Sequence, residues 1–280
     1  MITVENISVQ IGPASILKNI TMNMPDGKLS MLVGKNGAGK STLLKAICNN
    51  IKPSAGNIYF GTSLLNDLDS KEIARKRAVV LQNSRLSFSF TAFEIILMGR
   101  TPHTNGFEGE KDYYIAEQCM KKLQVEHLKE RKFPTLSGGE QQRVQLARAL
   151  AQIWDRIAQN KPCYLLLDEP TSNLDIAHQH QLLSLLKELA ESGVTVFVVI
   201  HDLNLAAQYG DLIHVMKEGK CVASGPAEHI FQPDIIENAF ECPVQILQNP
   251  HFNCPLIVSE GVKNKPNRFH YQQTGTGANV

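Results

Sequence analysis

No stretch of this 280-residue chain is long and apolar enough to cross a bilayer. Its longest apolar runs, such as Val194 to Ile200, fall far short of the roughly 20 residues a spanning helix needs. The N-terminus, Met-Ile-Thr-Val-Glu-Asn, lacks the basic region and apolar stretch of a signal peptide. A cytoplasmic or peripheral protein is therefore expected, with any membrane connection made through a partner. The six cysteines contain no C-x-x-C pair, which argues against a disulfide framework or a zinc site and fits a reducing compartment. A net charge of +1 gives no reason to expect a nucleic-acid partner. Internal repeats and low-complexity tracts are also missing.

What is present is an ordinary globular composition, 43% hydrophobic and 20% charged, in a chain large enough for an ample core. Three continuous apolar runs each lead into a functional-looking turn. Leu29 to Val33 precedes a glycine-rich loop, Tyr164 to Leu167 precedes Asp168-Glu169-Pro170, and Val194 to Ile200 precedes His201-Asp202. A fourth, Ala78 to Leu81, ends at Gln82. Runs without alternation read as strands buried on both faces, as in a parallel sheet covered by helices. Ser41 to Asn49 and Ile176 to Ser192 read as helices between them, the second with Leu182, Leu185, Leu186 and Leu189 at helical spacing. The expectation is an α/β doubly wound core with ligand groups at the strand carboxyl ends. The first 28 residues, with turns at Gly12-Pro13 and Pro25-Asp26-Gly27, read as part of a small antiparallel sheet. Residues 83–157 read as an inserted helical subdomain. Residues 1–240 form the expected main domain and 241–280 an extension, its last stretch from Lys263 polar and frayed.

Gly34-Lys35-Asn36-Gly37-Ala38-Gly39-Lys40-Ser41-Thr42 matches G-x-x-x-x-G-K-[ST] between a strand and a helix, the phosphate-binding P-loop of nucleotide triphosphatases. Glycines let backbone N–H groups converge on phosphate oxygens, and the helix start adds partial positive charge. Lys40 is expected to reach the β- and γ-phosphates of ATP, and the Ser41 hydroxyl to ligate Mg²⁺. An Asp-Glu pair after a strand is, taken alone, an ordinary solvated loop. With a phosphate loop upstream, Asp168 becomes a candidate for the magnesium shell and Glu169 the candidate general base.

Leu136-Ser137-Gly138-Gly139-Glu140-Gln-Gln-Arg143 offers a second anion-binding helix start, though by itself it could be a mere cap. Here the sequence resembles the ABC (ATP-binding cassette) family, whose signature motif reads this way. The resemblance implies that Ser137, Gly138, Gly139 and Glu140 contact the nucleotide held by a second copy, with two ATP molecules sandwiched in a head-to-tail homodimer. The same resemblance makes Gln82 the residue that touches Mg²⁺ or water and couples to a transmembrane partner. Ser172-Asn-Leu-Asp175 resembles the D-loop and His201 the switch histidine that holds the γ-phosphate. The match covers roughly residues 1–230. One departure concerns the adenine ring, which the family commonly stacks on an aromatic residue. Here Val9 or Ile11 occupies that region, implying modest discrimination between bases.

A single cassette without membrane segments resembles importers rather than exporters. The segment Phe88 to His103 is similar to ATPases of iron-siderophore, haem and cobalamin uptake. The extension Gln152 to Lys161 and the wording Thr171 to His180 resemble the haem (hemin) importers among them. That resemblance implies two permease subunits, a periplasmic binding protein and a place on the cytoplasmic face of the inner membrane. Siderophore or cobalamin import is the alternative. A soluble ABC ATPase is disfavoured, because those relatives carry long coiled-coil insertions or tandem cassettes. His178 and His180, two apart on a helix, point to different faces and do not suit one shared ligand.

Overall fold

The computed structural model describes residues 1–81, 89–104, 106–172 and 174–260. Gln82, Asn173 of the D-loop and the polar stretch Lys263 to Val280 lie outside the described residues.

Two antiparallel strands, β1 (Ile2–Ile11) and β2 (Ala14–Met24), open the chain, and β3 (Leu29–Gly34) follows. The helix α1 (Lys40–Ile47) leads to β4 (Ala55–Phe60) and the short β5 (Ser63–Leu64). Strands β1, β2, β4 and β5 form one antiparallel sheet in the order β2-β1-β4-β5. After α2 (Ser70–Lys76) and β6 (Arg77–Val80), the described chain is helical up to residue 158. It runs through α3 (Ala92–Leu97), a 3₁₀ segment at Met98–His103, α4 (Glu110–Lys122) and the long α5 (Gly138–Ala158).

The core alternates from there: β7 (Tyr164–Asp168), α6 (Ile176–Glu191), β8 (Thr195–Val199), α7 (Leu203–Tyr209), β9 (Leu212–Lys217) and β10 (Lys220–Gly225). Its six-stranded sheet has the order β10-β9-β3-β8-β7-β6, parallel except for the β9–β10 hairpin. Every residue of β3, β7 and β8 is buried, which is why these strands read as unbroken apolar runs. Because strand side chains alternate faces, the sheet divides two cores. Met31, Val33, Leu165, Leu167, Val196 and Val198 face the helical side with α3 to α6. Leu32, Leu166, Phe197 and Val199 face α1 and the antiparallel sheet.

The chain continues through α8 (Ala227–Ile230) and α9 (Pro233–Phe240) into a hairpin, β11 (Val244–Gln248) with β12 (Pro255–Ser259). The hairpin is docked. The Asn204 side-chain amide at the start of α7 donates to the Ile257 carbonyl (3.2 Å), and its oxygen accepts from the Ile257 N–H (2.8 Å).

Candidate functional site

Strands β3, β8 and β7 are immediate neighbours, with Leu32 opposite Val199 and Val199 opposite Asp168. Their carboxyl ends therefore deliver the glycine-rich loop, His201 and the Asp168-Glu169 pair to one edge of the sheet. This is the crevice where open α/β sheets gather ligand groups.

At Gly34 the loop leaves β3 so close to β9 that a Cβ would lie 2.5 Å from the Met216 carbonyl oxygen. Gly39 turns the chain into α1 with φ 102°, a left-handed conformation that glycine adopts at no steric cost. No side chain caps this helix start, so its first N–H groups face outward from the loop. Lys35, Asn36 and Gly37 are exposed, Ala38 is buried, Ser41 is exposed and Thr42 half-buried. At its other end α1 is tied to β6, where Arg77 donates to the carbonyls of Ile47 (2.8 Å) and Cys48 (3.0 Å).

Lys40 lies folded against the loop, with Nζ donating to the carbonyls of Gly34 (2.7 Å) and Lys35 (3.1 Å). Burial pulls its ammonium below the ordinary lysine range, and the attraction of Glu169 and Asp168 only partly offsets this. Asp168 is the converse. Burial, and then the charge of Glu169, push its carboxyl above the ordinary range against Lys45, Lys40 and His201. Its Oδ1 is buried without a hydrogen-bond partner. A carboxylate oxygen left unpaired beside a phosphate loop is suited to a cation, and the hydroxyl of Ser41 at the helix tip is the second donor such an ion would find.

Glu169 follows in a left-handed backbone conformation, φ 49°, which is costly for a side chain of this kind and is shared by Glu218 in the β9–β10 turn and Glu241 at the end of α9. Its N–H donates to the Val199 carbonyl (3.0 Å), and its carbonyl accepts from the Ser172 hydroxyl (3.0 Å). Its Oε1 meets His201 Nε2. The backbone is thus gripped on both sides, and the carboxylate is aimed at the histidine across the gap between β7 and β8. Asp202, beside His201, caps α7 by accepting from the N–H groups of Asn204 (2.8 Å) and Leu205 (3.0 Å).

The signature residues form a second and separate cluster. Ser137 caps α5: its Oγ accepts from the Glu140 N–H (3.3 Å), while the Glu140 carboxylate accepts from the Ser137 N–H (2.7 Å). That backbone hydrogen bond is the main reason the Glu140 carboxyl sits below its ordinary range. Glu140 is thereby engaged in its own helix start. Ser137 to Glu140 line a cavity of about 250 Å³ with Arg143, Leu174, Asp175 and His178, none of them from the phosphate-loop edge. Asp175 caps α6 and accepts from His178 Nδ1 at 2.8 Å, whereas His180 Nδ1 meets the Tyr209 hydroxyl at 2.8 Å. The two histidines do serve different neighbours. Of the two candidates near adenine, Val9 is fully buried and Ile11 is 51% exposed, so Ile11 alone is available to a base.

Sequence reading did not single out the role of Arg100. It is 1% exposed and bonded to Asp112, Ala151 and Asp155. Its signal was an arginine just past the apolar run Ile95 to Met98, after Gly99.

The family model for ABC transporters matches residues 17–172. The hemin import ATP-binding protein HmuV of Gloeobacter violaceus is 44% identical over 93% of this chain and 94% of its own length. Its namesake in Deinococcus radiodurans is 41% identical, covering 92% and 97%. Among solved structures, an inward-facing ABC transporter assigned to the metal-chelate type superposes with a TM-score of 0.77. It is 28% identical and covers 92% of this chain and 96% of its own. The dimeric bacterial ABC transporter cassette MJ0796 gives 0.70 at 34% identity, covering 81% and 98%. A phosphate loop, an acidic pair and a histidine at one sheet edge, with a serine-capped signature helix apart from them, are thus found in a chain that belongs to the ABC transporter family and is one of its ATP-hydrolysing subunits.

Proposed function

We propose that two copies of this chain, facing head to tail beneath two permease subunits on the cytoplasmic side of the inner membrane, hydrolyse ATP to drive haem uptake. The haem assignment is carried by the relatives. Eight relatives, 38–44% identical over nearly the whole chain, are hemin import ATP-binding proteins. A periplasmic binding protein would hand over the cargo, so substrate choice lies outside this chain.

The hydrolytic assignment is carried by the meeting of Glu169 and His201 next to Lys40. In this reading Gly34 to Thr42 cradle the phosphates, with Lys40 exchanging its loop carbonyls for β- and γ-phosphate oxygens. Glu169 orients the attacking water and accepts its proton, and His201 holds the carboxylate and the γ-phosphate in line. Ser137, Gly138 and Gly139 donate to the γ-phosphate on the facing copy; Glu140 holds their helix start in shape. Analogous groups supplied in trans are worth roughly 10³–10⁵ in rate.

Magnesium would be held by the Ser41 hydroxyl and the unpaired Asp168 oxygen, with Gln82 as the third expected contact. Among the described residues no group of three or more His, Cys, Asp or Glu is arranged to hold a metal. This suits an ion that takes most of its ligands from phosphate and water. When bound, it neutralises negative charge on the phosphate oxygens.

A second reading, uptake of a siderophore or cobalamin, has support from the metal-chelate type of the structural neighbour. Vesicles containing the permease, this chain and the binding protein separate the two. ATP-dependent accumulation of haem is expected; accumulation of ferric siderophore or cobalamin but not haem would transfer the assignment.

A further inference from the structure

The 3₁₀ segment Met98–His103 closes the Phe88 to His103 stretch noted in the sequence, and no step of hydrolysis uses it. Its glycine and arginine are committed to α5. Gly99 packs so tightly on that helix that any Cβ would collide with the Arg148 carbonyl. Arg100, 1% exposed, donates Nε to Asp112 (2.9 Å), Nη1 to the Ala151 carbonyl (2.7 Å) and Nη2 to Asp155 (2.6 Å). His103 Nε2 lies 2.7 Å from the Gln152 carbonyl. The Gln152 amide in turn donates to the carbonyls of Ala74 (2.7 Å) and Arg77 (2.9 Å), where α2 gives way to β6.

Apart from the bond to Asp112 on α4, these joints fall on α5 between Arg148 and Asp155. The other end of the same helix, roughly 20 Å away along a rise of about 1.5 Å per residue, carries Ser137 to Gly139. The N-terminal half is packed as well, with Val144, Leu146 and Ala147 buried and Gln141 Nε2 donating to the Phe133 and Leu136 carbonyls, so clamp and tip belong to one rigid arm. A small change of angle at the clamp becomes a displacement at the tip. A buried guanidinium is an expensive way to stabilise a core, since apolar packing of equal volume does as well or better. What it supplies here is direction: a planar fork that fixes three elements at once.

We propose that Arg100 is a positioning residue for ATP hydrolysis. By locking α5 to the Met98–His103 segment and to α4, it sets the angle at which Ser137 to Gly139 meet the nucleotide on the facing copy. This rests on the two-copy reading given above.

The test uses the full chain with its permease. Arg100→Lys keeps the charge but cannot make all three bonds, and Asp155→Asn loosens one of them; Gly138→Asp serves as the control for the signature itself. For each, thermal unfolding, binding of a fluorescent ATP analogue, and kcat and KM for Mg-ATP are measured. ATP-driven dimerisation is followed by sedimentation in a Glu169→Gln background. Arg100→Lys and Asp155→Asn are expected to fold and to bind nucleotide as the parent does. Their kcat falls on the order of tenfold to a hundredfold, with KM unchanged and dimerisation weakened, as displaced groups cost in other sites. A kcat that follows only the folded fraction overturns the inference, leaving Arg100 a structural residue. If Gly138→Asp still dimerises and hydrolyses normally, the two-copy reading itself fails. If Gly138→Asp abolishes both while Arg100→Lys and Asp155→Asn change neither, only the present inference fails.

Discussion

In the function proposed above, the phosphate-loop edge and the signature helix both meet ATP, yet they are built in opposite ways. At the signature, the capping groups are satisfied, although farther along the same helix Arg143 Nε, Arg148 Nε and both amide atoms of Gln145 are buried without partners. Ser137 and Glu140 cap each other, Asp175 caps α6, and the Arg100 fork has all its partners. At the phosphate loop, interactions are withheld. Asp168 Oδ1 is buried without a partner, burial disfavours the Lys40 charge, and Glu169 sits in left-handed backbone. In the proposed function, one region keeps unmet interactions for a ligand to complete, and the other presents a helix start whose caps are already made. The lesson is that chemistry and presentation make different demands on the same fold.

The largest effect expected from this contrast is on turnover. Glu169→Gln should lower the hydrolysis rate by about 10²–10⁴, the range for losing a general base. Phosphate release measures it, and the ATP-bound pair should persist in sedimentation. Full turnover would remove Glu169 from the role.

Next comes the acid limb of stability. His214 on β9 is fully buried beside Ser224, its Nε2 without a partner, and burial pushes its pKa down from 6.5 to about 4. The folded state therefore resists protonation that the unfolded state accepts. Stability is full above pH 6.5 and falls as pH drops towards 4, by about 3 kcal/mol at the limit set by such a shift. Denaturant midpoints measured across that range should show the decline, and His214→Leu should flatten it. An unchanged slope would mean another group carries the titration.

The contrast is sharpest in a pair of opposite signs. Ser137→Ala removes a satisfied cap and should cost about 1 kcal/mol. Asp168→Asn removes a buried charge lacking a full set of partners. It should raise the melting temperature of the nucleotide-free chain by about 2–4 °C while abolishing hydrolysis. Thermal unfolding of both variants checks this; a fall in both would erase the distinction between the two regions. The smallest effect belongs to the adenine side. Ile11→Tyr should tighten ATP relative to GTP by about threefold to tenfold, the worth of a stacking contact. Competition titrations read it directly, and a strong preference for ATP already present in the parent would count against Ile11 as a poor base contact.

Much of this was legible in the chain itself, for a physical reason. Strands β3, β7 and β8 are buried on both faces, so nothing polar interrupts them, and each hands its last residue to a motif. Strand β9 is equally central but was not singled out. His214 and the terminal Lys217 break its apolar run, and the cost of burying that histidine is invisible without its neighbours. The hairpin of β11 and β12 was missed as well. Only Val244 and Ile257 of its ten residues are buried, so alternation is faint, and its anchorage depends on Asn204 some fifty residues away. The candidate site residues could be named from motif spacing, and the fold brings the phosphate loop, Asp168-Glu169 and His201 to one sheet edge. The Arg100 clamp could not, because its partners come from two helices, α4 and α5, distant from it and from each other in the chain.

The turn at Glu169 also governs how this enzyme should be mutated. Residues without a Cβ accept φ 49° freely, so Glu169→Gly would relax the backbone at the same stroke that deletes the carboxylate. Such a variant confounds two changes and flatters the protein's melting behaviour. Gln keeps the side-chain length and carries the same backbone cost, which makes it the cleaner probe of whether a proton acceptor is needed there.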